Sequence, residues 1–325
     1  MATTAASARD PEAGRPRLAA ELRAVVDRFW GRLTRTLAAP PSDPDPELTA
    51  LLAAPFSSVD DVYDRLSAAE THLRNDGDRR AVFLTVYTAM TERVRAGIEG
   101  RDRGRRFEDS DWTRRYLVAF AERYRRAIVD FERGRSVPPA WRVAFGASLG
   151  GETLVLQDAL LGINAHIVHD LAFALDDVGI GDGAERERRH ADHLAINEVL
   201  SGLADVVQTT LASVYEAAGL REVDELFGRL DETATLHGLR AARAFAWDNA
   251  VLLADRPRLA PVVRWRVRTV AAGSAYALLS PGVGSPLLDR LRAAERGEPM
   301  LAAVSGAVHG DESGRGRADG TGRRP

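Results

Sequence analysis

The side chains best suited to chemistry lie in one short segment, residues 164–170, which reads Asn-Ala-His-Ile-Val-His-Asp. On an α-helix, which advances by about 100° per residue, His166, His169 and Asp170 share one face, whereas Asn164 points in another direction. Imidazole and carboxylate groups at this spacing suit the binding of a divalent cation or the transfer of protons. Because the rest of the segment is apolar, we expect these groups to be buried beside hydrogen-bonding partners or a metal.

The next predicted helix offers partners for this polar face. His190, His193 and Asn197 follow one another at spacings of three and four residues, so they line one side of that helix. Asp192 lies on the opposite side of an ideal helix and would need an irregular start to join them. The glycine-rich connection at 179–183 is short, which predicts that the two helices are antiparallel neighbours. This arrangement would bring the two histidines of the second helix towards the polar face of the first.

A third polar cluster lies further along the chain, where Arg240, Arg243 and Trp247 fall on one helical face. An arginine beside an aromatic ring can hold a carboxylate or a phosphate group. The same residues could instead pair with core carboxylates or pack on a neighbouring helix, and the sequence leaves both interpretations open.

Three roles are assigned to the residues of these clusters. The metal ligands are predicted to be His166, Asp170 and His193. The catalytic residues are predicted to be His169, His190 and Asp192. The residues that bind a ligand are predicted to be Asn164, Asn197, Arg243 and Trp247. A divalent metal such as zinc suits these ligands, and its bound water would be the nucleophile of a metal-dependent hydrolase acting on an unidentified small molecule.

Two other interpretations of the same residues remain. In the first, the histidines and Asp170 form a buried hydrogen-bonded network in a non-catalytic helical scaffold or small-ligand-binding protein, and this network fixes how the central helices pack. In the second, His169 or His190 acts in acid–base catalysis without a metal, which requires that ring to face a cavity.

Composition excludes several classes of site. The 325 residues include no cysteine and no lysine, so thiolate nucleophiles, cysteine zinc sites, P-loops and Schiff-base chemistry are absent. The Gly-x-Ser-x-Gly run at 146–150 and the Gly-x-Gly-x-Gly run at 179–183 both follow predicted helices, whereas a nucleophile elbow or dinucleotide-binding loop follows a strand. The net charge of -3 gives no overall attraction to nucleic acid or to an anionic membrane, and neither is expected as a partner.

The elements that must position these residues are helices. Apolar residues recur at helical spacing along the chain without alternating strand patterns, which predicts an all-α, multi-helix array around two long central antiparallel helices, about 153–177 and 184–217. We expect a disordered tail at 1–16, a helix and proline-rich linker at 17–46, a single all-α domain at 47–304 and a second disordered tail at 305–325. With no secretory signal pattern and no apolar run of membrane-spanning length, we expect a cytoplasmic protein.

The motif Asn-Ala-His-Ile-x-His-Asp-Leu at 164–171 resembles the central motif of an uncharacterised bacterial family of unknown function that is common in actinobacteria. The likeness covers most of the chain, in the same order and spacing. It includes 78–83 with Tyr87, 107–109 with Trp112, Phe120 and Tyr124, 137–141, His190 with Asp192 and Asn197, and Arg243 with Trp247. Val168 and Ala172 depart from the family, which often has Asn and Pro there. The resemblance implies a shared helical fold and polar centre, and no particular reaction.

A second resemblance concerns the same helix. The order Leu-Gly-x-x-x-His-x-x-x-Asp at 161–170 is similar to the ligand helix of zinc-dependent phospholipases C and the related single-strand nucleases, which are all-α. Those enzymes use more His and Asp ligands than this chain offers, since it has only seven histidines. The likeness therefore implies a mononuclear or dinuclear site in place of a trinuclear one.

Overall fold

The computed structural model describes residues 37–101, 107–198, 232–279, 290–295, 303 and 305–307. Within these ranges every regular element is a helix and no strand is present, so the predicted all-α fold is confirmed. None of the helices in these ranges is both long enough and apolar enough to cross a membrane.

The main α-helices of the described residues are numbered in chain order, with a π-helix and a 3₁₀ turn between them. They are α1 (Pro46–Leu51), α2 (Val59–Asn75), α3 (Ala81–Ile98), α4 (Ser110–Glu132), α5 (Pro139–Gly150), α6 (Val155–Ile163), the π-helix (Asn164–Asp170), α7 (Leu171–Val178), α8 (183–198), α9 (Glu232–Asp255), the 3₁₀ turn (Pro257–Leu259) and α10 (Ala260–Leu279).

The helix starts follow the capping rules that the sequence suggests. Ser58 caps α2, because its side chain accepts a hydrogen bond from the backbone N–H of Asp61. Helix α5 begins at Pro139, as the paired prolines predict. At α4 the sequence favours Ser110 as the cap, but the cap lies one residue earlier. Asp109 caps that helix by accepting from Trp112 N–H, and Ser110 is its first residue.

The centre of the structure is the unbroken helical column 155–178, formed by α6, the π-helix and α7. Helices α3, α4, α5, α9 and α10 all pack against it. Most faces of this column pack on other helices, which explains why apolar residues occupy most of its faces. The polar groups of the π-helix are therefore held inside the protein and cannot exchange freely with water.

The second predicted central helix is described only in its first part. Helix α8 begins one residue before the predicted start and is followed to residue 198. The rest of that predicted helix lies outside the described residues, as do residues 17–36 of the predicted helix and linker. The antiparallel pairing of the two long helices, and the predicted tails, stay predictions.

Candidate functional site: a buried histidine–aspartate centre

The π-helix at Asn164–Asp170 carries the two histidines and the aspartate that the sequence singles out. Its wider hydrogen-bond pattern is visible where Leu171 N–H donates to the carbonyl of His166, five residues earlier. Such segments are rare, interrupt otherwise regular α-helices and are frequent at functional sites. In this chain the interruption coincides with the polar part of the central column.

Asp170 is the hub of the site. Its Oδ2 accepts from the indole N–H of Trp141 at 2.8 Å and faces Nδ1 of His166 at 3.1 Å, while Oδ1 faces Nδ1 of His169 at 2.8 Å. The side chain is almost completely buried. Burial alone would raise the pKa of this carboxyl, but the hydrogen bonds from the two imidazoles, and their charge in the protonated form, lower it to about 2. The centre therefore holds an anion at neutral pH.

The ionised carboxylate fixes the tautomers of the two imidazoles. Because it can only accept hydrogen bonds, Nδ1 of His166 and Nδ1 of His169 must carry the protons. Burial lowers the pKa of His166, more than the hydrogen bond and charge of Asp170 raise it, which favours a neutral ring. On a neutral ring whose proton is on Nδ1, Nε2 presents a lone pair. Both Nε2 atoms are buried, and neither has a hydrogen-bond partner among the described residues.

Aromatic rings enclose His166. Its ring stacks on Phe120 with centroids 3.5 Å apart and meets Tyr87 edge-on at 4.6 Å. Tyr124 lies slightly further away, at 6.3 Å. Burial raises the pKa of both tyrosines, so both hydroxyls stay protonated and can donate. Within the described part of the chain these two hydroxyls are also buried without a partner.

Asn164, at the start of the π-helix, is directed elsewhere, as its position on an ideal helix predicts. Its side-chain N–H donates to the carbonyl of Ala271 in α10 at 2.9 Å. The bond ties the central column to that helix. The structure thus gives Asn164 a contact that positions the column, and its predicted part in ligand binding stays a prediction.

His193 lies in a second polar group, separated from His166 by the rings of Tyr116 and Phe120. The Tyr116 hydroxyl is 3.0 Å from Nδ1 of His193, and the Tyr116 ring lies 6.3 Å from the ring of Phe120, which stacks on His166. Nε2 of His193 faces the carbonyl of Arg243 at 3.3 Å. The contacts of His193 are therefore with α4 and α9, and Asp170 is not among them.

The other predicted residues of α8 and α9 gather round His193. Arg243 donates from Nε to the side-chain oxygen of Asn197 at 2.7 Å. The ring of His190 stacks on Trp247 with centroids 4.6 Å apart, and Trp247 also lies 5.2 Å from the ring of His193. We call these residues, together with Tyr116, the Arg243 group.

Asp192 takes no part in either group. It is buried, and its carboxylate accepts from the backbone N–H groups of Glu108 and Asp109 at 2.7 and 2.8 Å. Those N–H groups precede α4, so Asp192 anchors the start of that helix. Its contacts in the structure are those of a residue that holds α8 against α4.

The comparison with protein families gives one match. Residues 59–281, more than half of the chain, match the family of unknown function DUF5995. The chain belongs to this family. A comparison with curated proteins and with solved structures gave no match.

In this member of DUF5995 the three predicted metal ligands do not converge. His166 and Asp170 are in contact, but His193 is separated from them. Among the described residues, one group brings three His, Asp or Glu ligand atoms within 4.8 Å of one another, and it consists of Asp45, His72 and Asp76. That group is near the surface and far along the chain from the motif, with Asp76 exposed.

Sequence reasoning missed the aromatic part of the DUF5995 centre. Trp141, Tyr87 and Tyr124 supply one hydrogen bond to Asp170 and two buried hydroxyls, yet none was singled out for chemistry. The available signal was their helical spacing: Phe83 with Tyr87, and Phe120 with Tyr124, are pairs four residues apart. Such pairs usually indicate a core, and nothing in the sequence shows that their rings face a histidine.

Proposed function

We propose that this DUF5995 protein binds a divalent metal such as zinc through Nε2 of His166 and Nε2 of His169, and that it is a metal-dependent hydrolase. One observation carries the proposal. Both imidazoles hold Nδ1 on the same carboxylate, while both Nε2 atoms are buried without a partner among the described residues. A metal-ligating histidine usually donates its other ring N–H to a carboxylate or carbonyl, and Asp170 supplies that acceptor twice.

The unpartnered atoms argue for a bound species. An unsatisfied polar atom buried in a protein costs about 1–3 kcal/mol, so several in one place call for an occupant. The Nε2 lone pairs are suited to a cation, and the hydroxyl of Tyr87, whose ring meets His166 edge-on, is suited to donate towards an oxygen of a bound species. The resemblance of residues 161–170 to the ligand helix of zinc-dependent phospholipases C agrees with this assignment at His166 alone, because its other matched ligand position is Asp170.

Asp170 would then orient the ligands, which differs from its predicted role as a ligand itself. Its two oxygens already accept from three N–H groups, which leaves less capacity for a metal. Two nitrogen ligands leave coordination positions for water, and a metal lowers the pKa of that water enough to make a nucleophile near neutral pH. They also bind more weakly than the usual three or four protein ligands, so we expect chelators to remove the metal readily.

Elemental mass spectrometry of the purified, untagged protein tests the proposal. We expect about one equivalent of zinc, manganese or iron in the wild-type protein and a loss of that metal in His166→Ala and in His169→Ala. His72→Ala is the matched control, because it removes a histidine from the Asp45–His72–Asp76 group and leaves the centre unchanged. Loss of the metal in His72→Ala, or its retention in both His166→Ala and His169→Ala, would refute the assignment.

A second candidate is the non-catalytic scaffold or small-ligand-binding protein, and the burial of the centre favours it. His166, His169 and Asp170 are each at most 5% exposed, and Trp141 completes the hydrogen bonds of the carboxylate. In that case the protein as purified, and after incubation with divalent cations, would hold no metal. His166→Ala would then destabilise the fold by ~2–4 kcal/mol, because Asp170 loses a buried partner.

A further inference from the structure

Arg243 is buried deep in the Arg243 group and is held there by neutral acceptors. The residue is 2% exposed. Its Nε donates to the amide oxygen of Asn197 at 2.7 Å, and its Nη2 donates to the backbone carbonyl of His193 at 2.5 Å and lies 3.3 Å from Nδ1 of that ring. None of the hydrogen bonds within the described residues uses Nη1.

No carboxylate of the described residues forms an ion pair with Arg243, which sets it apart from the other arginines of the interior. Arg80 pairs with Asp78 and Glu132, and Arg125 pairs with Glu122. Arginine almost never lies in a protein interior unpaired, since desolvation of a charge is expensive. Within the described residues, the other buried arginines have a carboxylate partner and Arg243 has none.

The groups around Arg243 do not compensate its charge. Burial raises the pKa of Tyr116 to about 12, so that hydroxyl is neutral at physiological pH. Burial and the nearby guanidinium hold the pKa of His193 well below its usual value, so that ring is neutral too. Since Nδ1 of His193 faces the N–H of Arg243, its proton lies on Nε2, which donates to the Arg243 carbonyl. Among the described residues, the groups that hydrogen-bond to the guanidinium are thus neutral dipoles.

The outer side of the group is less enclosed. His190 and Asn197 are only partly buried, and the His190 ring stacks on Trp247 beside the helix that carries the guanidinium. A planar guanidinium with donors to spare matches the geometry of a carboxylate or phosphate oxygen pair, and the stacked rings provide a flat apolar wall. The chemistry of the group is that of a receptor for the anionic end of a small molecule.

We infer that the Arg243 group binds the oxyanion of a ligand, either a carboxylate or a phosphate, with the guanidinium of Arg243 as its counter-ion. This site is distinct from the His166–Asp170–His169 centre, and the inference does not depend on a metal there. Carboxylate and phosphate share the recognition chemistry, and the probes below separate them.

The test uses the full chain, with inorganic phosphate and acetate as probes and sodium chloride at equal ionic strength as the reference. Arg243→Met removes the charge with a side chain of similar length, and Arg240→Met is the control. Arg240 lies on the same helix but is exposed, so its substitution removes an equal charge without touching the group. Isothermal titration calorimetry gives the affinity, and the change in Tm with probe concentration checks it.

We expect phosphate or acetate to bind the wild-type protein and Arg240→Met with equal affinity. The affinity for Arg243→Met should be lower by a factor of about thirty or more. Preference for one probe identifies the source of the oxyanion. If Arg243→Met does not fold, Arg243→Lys keeps the charge without the planar fork and should weaken binding by about tenfold. Failure of both probes to bind the wild-type protein would overturn the inference, as would equal binding by Arg243→Met.

Discussion

The substitution Gly162→Ala, which adds one methyl group, should destabilise this protein, although replacement of a helical glycine by alanine usually stabilises a helix. Gly162 lies in α6, one turn before His166, where α3 approaches the central column closely. A Cβ atom at this position would lie 2.5 Å from Cδ2 and Cγ of Phe83 and 2.7 Å from its Cβ. Real Cβ atoms essentially never make contacts under 3.0 Å, so the ring or the helix must move.

The Phe83 ring has little room to move. Rotation about its side-chain bonds does not relieve the contact with its own Cβ, and the ring is packed at 5.4–5.7 Å against the rings of Tyr124, Trp141 and His166. Overpacking of this kind costs ~1–3 kcal/mol. Replacement of a helical glycine by alanine gives back about 1 kcal/mol. Because the closest contacts are so short, we expect the upper part of that range and a net loss of ~1–2 kcal/mol.

Urea denaturation followed by circular dichroism measures this loss, and a thermal scan should show a fall in Tm of about 2–4 °C per kcal/mol. Gly273→Ala is the matched control, because Gly273 lies inside α10 and a Cβ atom added there would meet nothing within 4 Å. That variant should be as stable as the wild type or more so. The double variant with Phe83→Leu should recover part of the loss. Equal stability of the two alanine variants would refute the close approach of α3 to α6.

Two further perturbations test the polar contacts. Trp141→Phe removes the indole N–H donor to Asp170 and part of a buried ring, so it should cost ~2–4 kcal/mol in urea denaturation, whereas Trp265→Phe, at a residue 67% exposed, should change stability by under ~0.5 kcal/mol. A hydrogen bond to Asp45 raises the pKa of His72 above its usual value, so the ion pair should stabilise the wild type over His72→Gln at pH 6, and this advantage should disappear as the pH rises through the raised pKa. A difference between these two proteins that is the same at every pH would contradict the ion-pair account.

The helical architecture could be predicted because its determinants are local. Caps such as Ser58, breaks such as the Asn-Asp-Gly-Asp run at 75–78 and the two prolines at the start of α5 all act within a few residues of the helix end they determine. The π-helix could not be predicted from the same information. An apolar helix with two histidines has the same periodicity whether its hydrogen bonds close over four residues or five, and the choice depends on what packs against it.

In the candidate site too, contacts within one segment could be predicted, whereas contacts between helices could not. His166, His169 and Asp170 are neighbours on one segment of chain, so their spacing was enough to place them together. The contacts of His193 and Asp192 depend on how α8 lies against α4 and α9, which no local pattern encodes. A short loop shows that two helices are adjacent, but it does not fix the rotation of the second helix about its axis. That rotation decides which partner each side chain meets.

The distribution of unpartnered atoms bears on both interpretations of the centre. Within the described residues seven buried side-chain atoms have no hydrogen-bond partner, and four of them belong to Tyr87, Tyr124, His166 and His169. Packing imperfections would be scattered over the interior, whereas these atoms lie on side chains that contact His166 or Asp170. A closed structural network satisfies its own members, whereas this one satisfies Asp170 and Trp141 but leaves Nε2 of both histidines without a partner among the described residues. The excess of lone pairs and O–H groups around a fully bonded carboxylate is the arrangement expected where a further species belongs, and metal analysis of the wild-type protein decides whether that species is a cation.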